Sequence, residues 1–262
     1  MTVHELFDLS GKVAIVTGGG SNIGRHLAEA LCEVGCAVAV CSRRGELCEQ
    51  TAAELAKIGP PALGLACDVT QEDEVNAMVA TVAEKLGPPD IVINDAGGAI
   101  VESYFPETNL EEFRASFEIN AVGSLLVSQA AARHMIPRRW GKIILVGSIY
   151  GVVGGVDWIY EASPGFKKAS LNYAAAKGAL VQMTRHLATT LGKYNICVNC
   201  ISPGGIFRNQ EPHFVERYIH RTPLGRMGTE TDLKGAAVLL ASHAGDWITG
   251  QNLMVDGGWT AW

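Results

Sequence analysis

The chain has 262 residues, 48% of them apolar and 18% charged, a globular composition long enough for one large α/β domain spanning 1–262 and without a stretch that resembles a linker. Its net charge of −6 argues against nucleic acid or an anionic membrane surface as the main partner. Apolar runs such as CAVAVC at 36–41 are too short to span a bilayer, and MTVHELFDLSGK at the start lacks the apolar core of a signal peptide, so a cytoplasmic location is expected.

Short β-branched runs alternate with helical stretches along the whole chain. KVAIVT (12–17) reads as a strand, IGRHLAEALCEVG as an amphipathic helix ending at Gly35, and CAVAVCS as a second strand. A helix at 45–57, a strand at 63–67, a helix at 71–86 and the strand DIVIN at 90–94 follow. Next come a long helix over 110–135, strand KIILVG at 142–147, a helix over 172–191 and strand ICVNCI at 196–201. A polar, mobile-looking stretch rich in Pro and Arg (208–228) precedes a helix at 230–242 and a last strand, NLMVDGG. Continuous apolar strands alternating with helices predict a single doubly wound α/β domain, a parallel sheet of about seven strands covered on both faces. Such sheets bind ligands beyond the C-terminal ends of their strands, where the strand order reverses.

Seven cysteines, an odd number without regular spacing, fit a reducing compartment. Cys197 and Cys200 have C-x-x-C spacing, but in a strand two residues three apart point to opposite faces. With no second pair or nearby His, they are read as packing, and no metal site is expected.

VTGGGSNIGRH (16–26) joins the first strand to the first helix, where backbone N–H groups and the helix dipole favour a phosphate. A Walker loop needs Lys after Gly24, where Arg25 stands, and G-x-G-x-x-G needs Gly at Ile23. Tyr173 and Lys177 in NYAAAKGAL are four apart and share one helix face. An ammonium beside a phenol favours the phenolate, so such a tyrosine can give or take a proton at a carbonyl or carbinol oxygen.

TGGGSNIG resembles the T-G-x-x-x-G-x-G cofactor loop of the short-chain dehydrogenase/reductase (SDR) family in all but one position, Asn22 replacing a glycine. Asn tolerates left-handed backbone, so the turn is expected to survive; its side chain either crowds the pyrophosphate or donates to it. Asn94-Asp95-Ala96-Gly97 resembles the family's N-N-A-G motif, with Asp95 as the departure, and Y-x-x-x-K, Pro203-Gly204 and the ending TGQNLMVDGG extend the likeness from Ser10 to Gly258.

The resemblance implies an oxidoreductase that binds its dinucleotide through Gly18, Gly20, Ser21, Asn22, Ile23, Gly24, Ser42, Arg43, Arg44, Asp68, Val69, Asn94, Ala96, Gly97, Tyr173, Lys177, Pro203, Gly204 and Ile206. Taken alone, Asp68 would more often be a helix cap. It implies Asn120, Ser148, Tyr173 and Lys177 as the catalytic set, with Ser148 polarising the reacting oxygen and Asn120 continuing a proton relay. NAD-preferring relatives carry an acid after the second strand; with Ser42 and Arg43 here, NADP(H) is favoured, with NAD(H) as the alternative.

Two departures bear on substrate. About a dozen more residues than usual separate Ser148 from Tyr173, an insertion at 152–170 from which Asp157, Trp158 and Glu161 are candidate substrate contacts, an exposed lobe being the alternative. Arg208 stands where relatives place a Thr, and could pair with a cofactor phosphate or an anionic substrate group. His213 and His220 read as solvated rather than substrate-facing.

The favoured reading is a dehydrogenase of a small polar molecule, a sugar acid or polyol. The alternatives are a 3-oxoacyl-[acyl-carrier-protein] reductase-like enzyme and, from another class, a non-catalytic NADP-binding sensor or scaffold. Apolar residues read as outward on the two long helices (Ala130, Ala131, Leu180, Leu187) predict a homo-oligomer, and the family resemblance implies a homotetramer or homodimer.

Overall fold

A computed structural model describes residues 1–100, 103–161 and 170–262. In chain order the elements are α1 (Val3–Phe7), β1 (Val13–Thr17), α2 (Asn22–Glu33), β2 (Ala37–Ser42), α3 (Gly45–Leu55), β3 (Ala62–Ala66), α4 (Glu72–Lys85) and β4 (Ile91–Asn94). They continue with α5 (Leu110–Phe117), α6 (Gly123–Arg138), β5 (Gly141–Val146), α7 (Asp157–Tyr160), α8 (Leu171–Leu191), β6 (Ile196–Pro203), α9 (Pro212–Arg221), α10 (Thr231–Ala241) and β7 (Asn252–Val255). The strands form one sheet in the order β3-β2-β1-β4-β5-β6-β7, every pair parallel. The order reverses between β1 and β4, and the crevice a doubly wound sheet offers a ligand opens there.

The five central strands, β2, β1, β4, β5 and β6, are buried on both faces while the edge strands β3 and β7 are only partly buried, and the pleat sorts the central residues between two cores. In β1, Val13 and Ile15 join Val75, Val127 and Leu180 of α4, α6 and α8, while Ala14 and Val16 join Leu27, Leu55 and Leu233 of α2, α3 and α10. The same alternation in β6 puts Cys200 in the first core. Cys197 lies on the other side, its Sγ 3.5 Å from the Asp246 carbonyl, so the two thiols face apart as the spacing predicts. A third cluster, Ile149, Ile159, Phe214, Tyr218, Met227 and Trp259, packs α7 and α9 against the C-terminal segment. Its centre is Trp259, fully buried and stacked 4.2 Å from the Tyr218 ring.

Three expectations need correction. The stretch 208–228 contains the helix α9, capped by the Glu211 side chain, which accepts from the Phe214 N–H at 3.1 Å; Phe214 and Tyr218, four apart, bury one face. The helix expected over 110–135 is interrupted by a π-helical turn at Glu118–Val122, where the Asn120 side chain donates back to the Ser116 carbonyl. Ala130, Ala131 and Leu180 do not point outward: they are buried in the first core, and of the four residues only Leu187 is partly exposed. Among the described residues, no helix is long and apolar enough to cross a membrane.

Candidate active site

The glycine loop closes tightly on its neighbours. Gly18 has φ +70°, and a Cβ there would lie 3.0 Å from the Ala96 nitrogen; a Cβ on Gly24 would meet the Gly18 carbonyl oxygen at 2.6 Å and Asp95 Oδ2 at 2.8 Å. Asn22 adopts left-handed backbone, φ +52°, so the turn keeps its path without the family's glycine. Thr17 Oγ1 accepts the backbone N–H groups of Asp95 (3.2 Å) and Ala96 (3.0 Å), locking the end of β4 to the loop. Ser21 receives Arg44 Nη2 at 3.0 Å, and Ser42 Oγ accepts the Arg44 N–H at 3.2 Å.

Two concavities meet at Asn22, Asp95 and Gly97. One, of about 380 Å³, is lined by Gly18, Ser21, Ser42, Arg43, Arg44, Cys67, Asp68, Val69 and Ala96 as well. The other, of about 240 Å³, adds Ile23, Ser148, Tyr173, Lys177, Pro203, Gly204 and Arg208. Together they make a trough across the sheet's reversal point, basic at one end and bearing Tyr173, Lys177 and Arg208 at the other. A loop whose glycines leave no room for a Cβ, at a helix N-terminus, with a basic group at the far end, fits an extended dinucleotide.

Ser148 follows β5. Its Oγ accepts the Tyr150 N–H at 3.2 Å, which leaves the hydroxyl proton free to donate into the trough. Tyr173 lies in the first turn of α8, its N–H capped by Ser170 Oγ at 3.3 Å. One turn on, buried Lys177 donates from Nζ to the Val146 carbonyl at 2.7 Å and stands 5.6 Å over the Tyr173 ring. Asn120 is fully buried in the π-helical turn; it donates to Gly98 O (3.0 Å) and accepts from Gly98 N (3.2 Å). A Cβ on Gly97 would lie 2.3 Å from Asn120 Oδ1 and 3.8 Å from Lys177 Nζ, so Asn120 and Lys177 meet across that glycine.

Other expected residues sit elsewhere. Gly20, buried against Cys48, and Ile206, in the second core, stand behind the trough wall. Asn94 is buried, and its Nδ2 donates to Ser128 Oγ at 3.1 Å. Asp68 caps locally, accepting from Thr70 N (3.0 Å) and Oγ1 (2.8 Å), while also lining the trough. Of the insertion, Asp157 and Trp158 are exposed and do not line the trough, and Arg217 holds the Trp158 and Glu161 carbonyls against α9; residues 162–169 lie outside the described residues. His213 and His220 are exposed. Arg208 lines the trough 3.7 Å from Glu230 Oε1.

A sequence profile described as Enoyl-(Acyl carrier protein) reductase matches residues 18–260. This chain belongs to the short-chain dehydrogenase/reductase family. Like the dehydrogenases and reductases it resembles, this SDR is an oxidoreductase. It is 34% identical to the 2-dehydro-3-deoxy-D-gluconate 5-dehydrogenase of Formosa agariphila (97% of this chain, 94% of the relative). It is 36% identical to the gluconate 5-dehydrogenase of Gluconobacter oxydans, over 99% of each chain. A gluconate 5-dehydrogenase from Burkholderia cenocepacia, solved in complex with NADP and tartrate, superposes with a TM-score of 0.89 at 31% identity and 99% coverage of both chains.

Sequence reasoning passed over two residues of this SDR's trough. Thr17 carries the anchor between β1 and β4, and the Thr of the T-G-x-x-x-G-x-G pattern was the available signal. Asp95 stood out only as a departure from a motif, yet it is the acid where the two concavities join.

Proposed function

We propose that the chain works as one dinucleotide-binding domain, an NADP(H)-preferring dehydrogenase/reductase that moves a hydride between nicotinamide and a hydroxyl or ketone of a small sugar acid. The observation that carries this reading is the trough itself, which sets Ser148, Tyr173 and Lys177 beside a cationic Arg208 at one end and Arg43 at the other. The names of its sugar-acid relatives, and the NADP held by one of them, support the substrate class and the cofactor.

The dinucleotide, when bound, supplies or accepts the hydride. The protein's own groups do the rest. The glycine loop and the N-terminus of α2 hold the pyrophosphate, and Arg43, which has no ion pair among the described residues, reaches a 2′-phosphate. Ser148 Oγ donates to the reacting oxygen as charge develops on it. The Tyr173 hydroxyl gives the proton in reduction and takes it in oxidation, with Lys177 orienting the ribose and Asn120 linking the site to the backbone at Gly98. Arg208 pairs with the sugar-acid carboxylate. A homotetramer or homodimer in the cytoplasm completes the reading.

Initial rates with NADPH and NADH on a panel of keto sugar acids, ketoses and a 3-oxoacyl thioester test it. Turnover is expected to be fastest with NADPH and a keto sugar acid such as 5-keto-D-gluconate. Turnover confined to the thioester would establish the carrier-protein reading instead, and dinucleotide binding without turnover on any carbonyl the sensor reading.

A further inference from the structure

The acid at position 95 stands at a place where an acid is chemically out of keeping. Thr17 Oγ1 fixes its backbone at the end of β4, and its carboxyl lies against the first turn of α2, Oδ2 standing 2.8 Å from where a Cβ on Gly24 would be. That turn is the anion-binding end of the helix. Asp95 lines both concavities at their junction, where the pyrophosphate of an extended dinucleotide would run. An ionised carboxylate there repels the phosphate that the amides of this turn would bind. The family motif has a neutral amide at this position, and a protonated carboxyl has nearly the same shape and, like the amide, a donor group beside an acceptor oxygen.

We infer that Asp95 is a cofactor-binding residue that acts in its protonated form, donating from its carboxyl toward the pyrophosphate, so the cofactor enters together with a proton. This rests on the dinucleotide reading above. The groups that face Asp95 are Lys177 from α8, Arg208 from the segment after β6 and the Gly24 N–H from α2; farther along the trough stand Arg43, Arg44 and Asp68, with Tyr173 beside Lys177. Burial pushes the Asp95 carboxyl up to about 7, although Lys177, the Gly24 N–H and Arg208 each favour its ionised form. A bound dianion raises it further, so binding takes up a proton between the free and bound values. Affinity is complete below about pH 7 and falls by up to about tenfold per pH unit above it, until the bound form also ionises.

The test is the dissociation constant of NADPH, read from its fluorescence over about pH 6 to 9, for the wild type and Asp95→Asn. The wild-type constant is expected to rise by up to about tenfold per unit relative to the variant, whose curve keeps only the 2′-phosphate titration near about 6 that both share. NADH, which lacks that phosphate, is expected to show the same difference between the two proteins. Calorimetry of the wild type alone, in two buffers of different ionisation enthalpy, is expected to report net proton uptake near pH 7 to 8. Parallel curves, or no proton uptake, overturn the inference while leaving the dinucleotide reading intact. Failure of both proteins to bind either dinucleotide overturns that reading and this inference with it.

Discussion

The Lys177 ammonium donates to the Val146 carbonyl at 2.7 Å, so a helix residue is tied to the strand that carries Ser148. The bond fixes the height of the amine over Tyr173, and the burial of both partners makes it worth more than a surface contact. Replacing Lys177 with Met keeps the bulk and removes the charge. The expected result is a loss of roughly hundredfold or more in kcat, together with about 1–3 kcal/mol of stability from the carbonyl left unpaired. Steady-state kinetics and urea denaturation measure the two effects separately.

Arg43 and Arg44 are adjacent but not equivalent. Arg44 is engaged with Ser21 on the glycine loop, whereas Arg43 projects into the trough without an ion pair among the described residues. Arg43→Ala is expected to raise the NADPH dissociation constant about ten- to hundredfold and to change that for NADH little, the loss of a charge-assisted bond to a 2′-phosphate. Equal losses for both dinucleotides would assign Arg43 to the scaffold.

Arg208 provides the substrate test. Its pairing with Glu230 at 3.7 Å is loose enough for a carboxylate to replace. Arg208→Gln is expected to raise KM for a keto sugar acid by about tenfold or more, a loss of about 1.4 kcal/mol or above, while leaving KM for an uncharged ketose within about twofold. Matching increases for both would show that the arginine recognises no carboxylate.

The lobe beside the trough depends on Trp259, stacked on Tyr218 and fully buried. Trp259→Ala is expected to cost about 3–5 kcal/mol, visible as an earlier denaturation midpoint. A change under about 1 kcal/mol would show that the C-terminal segment does not hold α9 in place.

Much of this was readable from the residues because the strands are short and apolar and their spacing repeats; six of the seven fell within two residues of their expected limits, and the last, read as NLMVDGG, ends three residues early at Val255. Tyr173 and Lys177 were legible as a pair because residues four apart share one helix face, whereas Ser148 was expected only from the family resemblance. The π-helical turn was not, since it depends on Asn120 bonding across to Gly98, a contact 22 residues away. α9 was hidden by its Pro and charged residues, although Glu211-Pro212 followed by Phe214 and Tyr218 is a capped amphipathic turn. The outward face read for Ala130, Ala131 and Leu180 failed because a helix lying on a sheet buries a wide stripe, and small residues mark close approach to that sheet.

Tyr173→Phe tests the central claim most directly, by removing one oxygen and nothing else. NADPH affinity is expected to stay within about twofold while kcat on the best keto sugar acid falls by about a hundredfold or more. A variant that binds the dinucleotide and turns over at the wild-type rate would contradict the account.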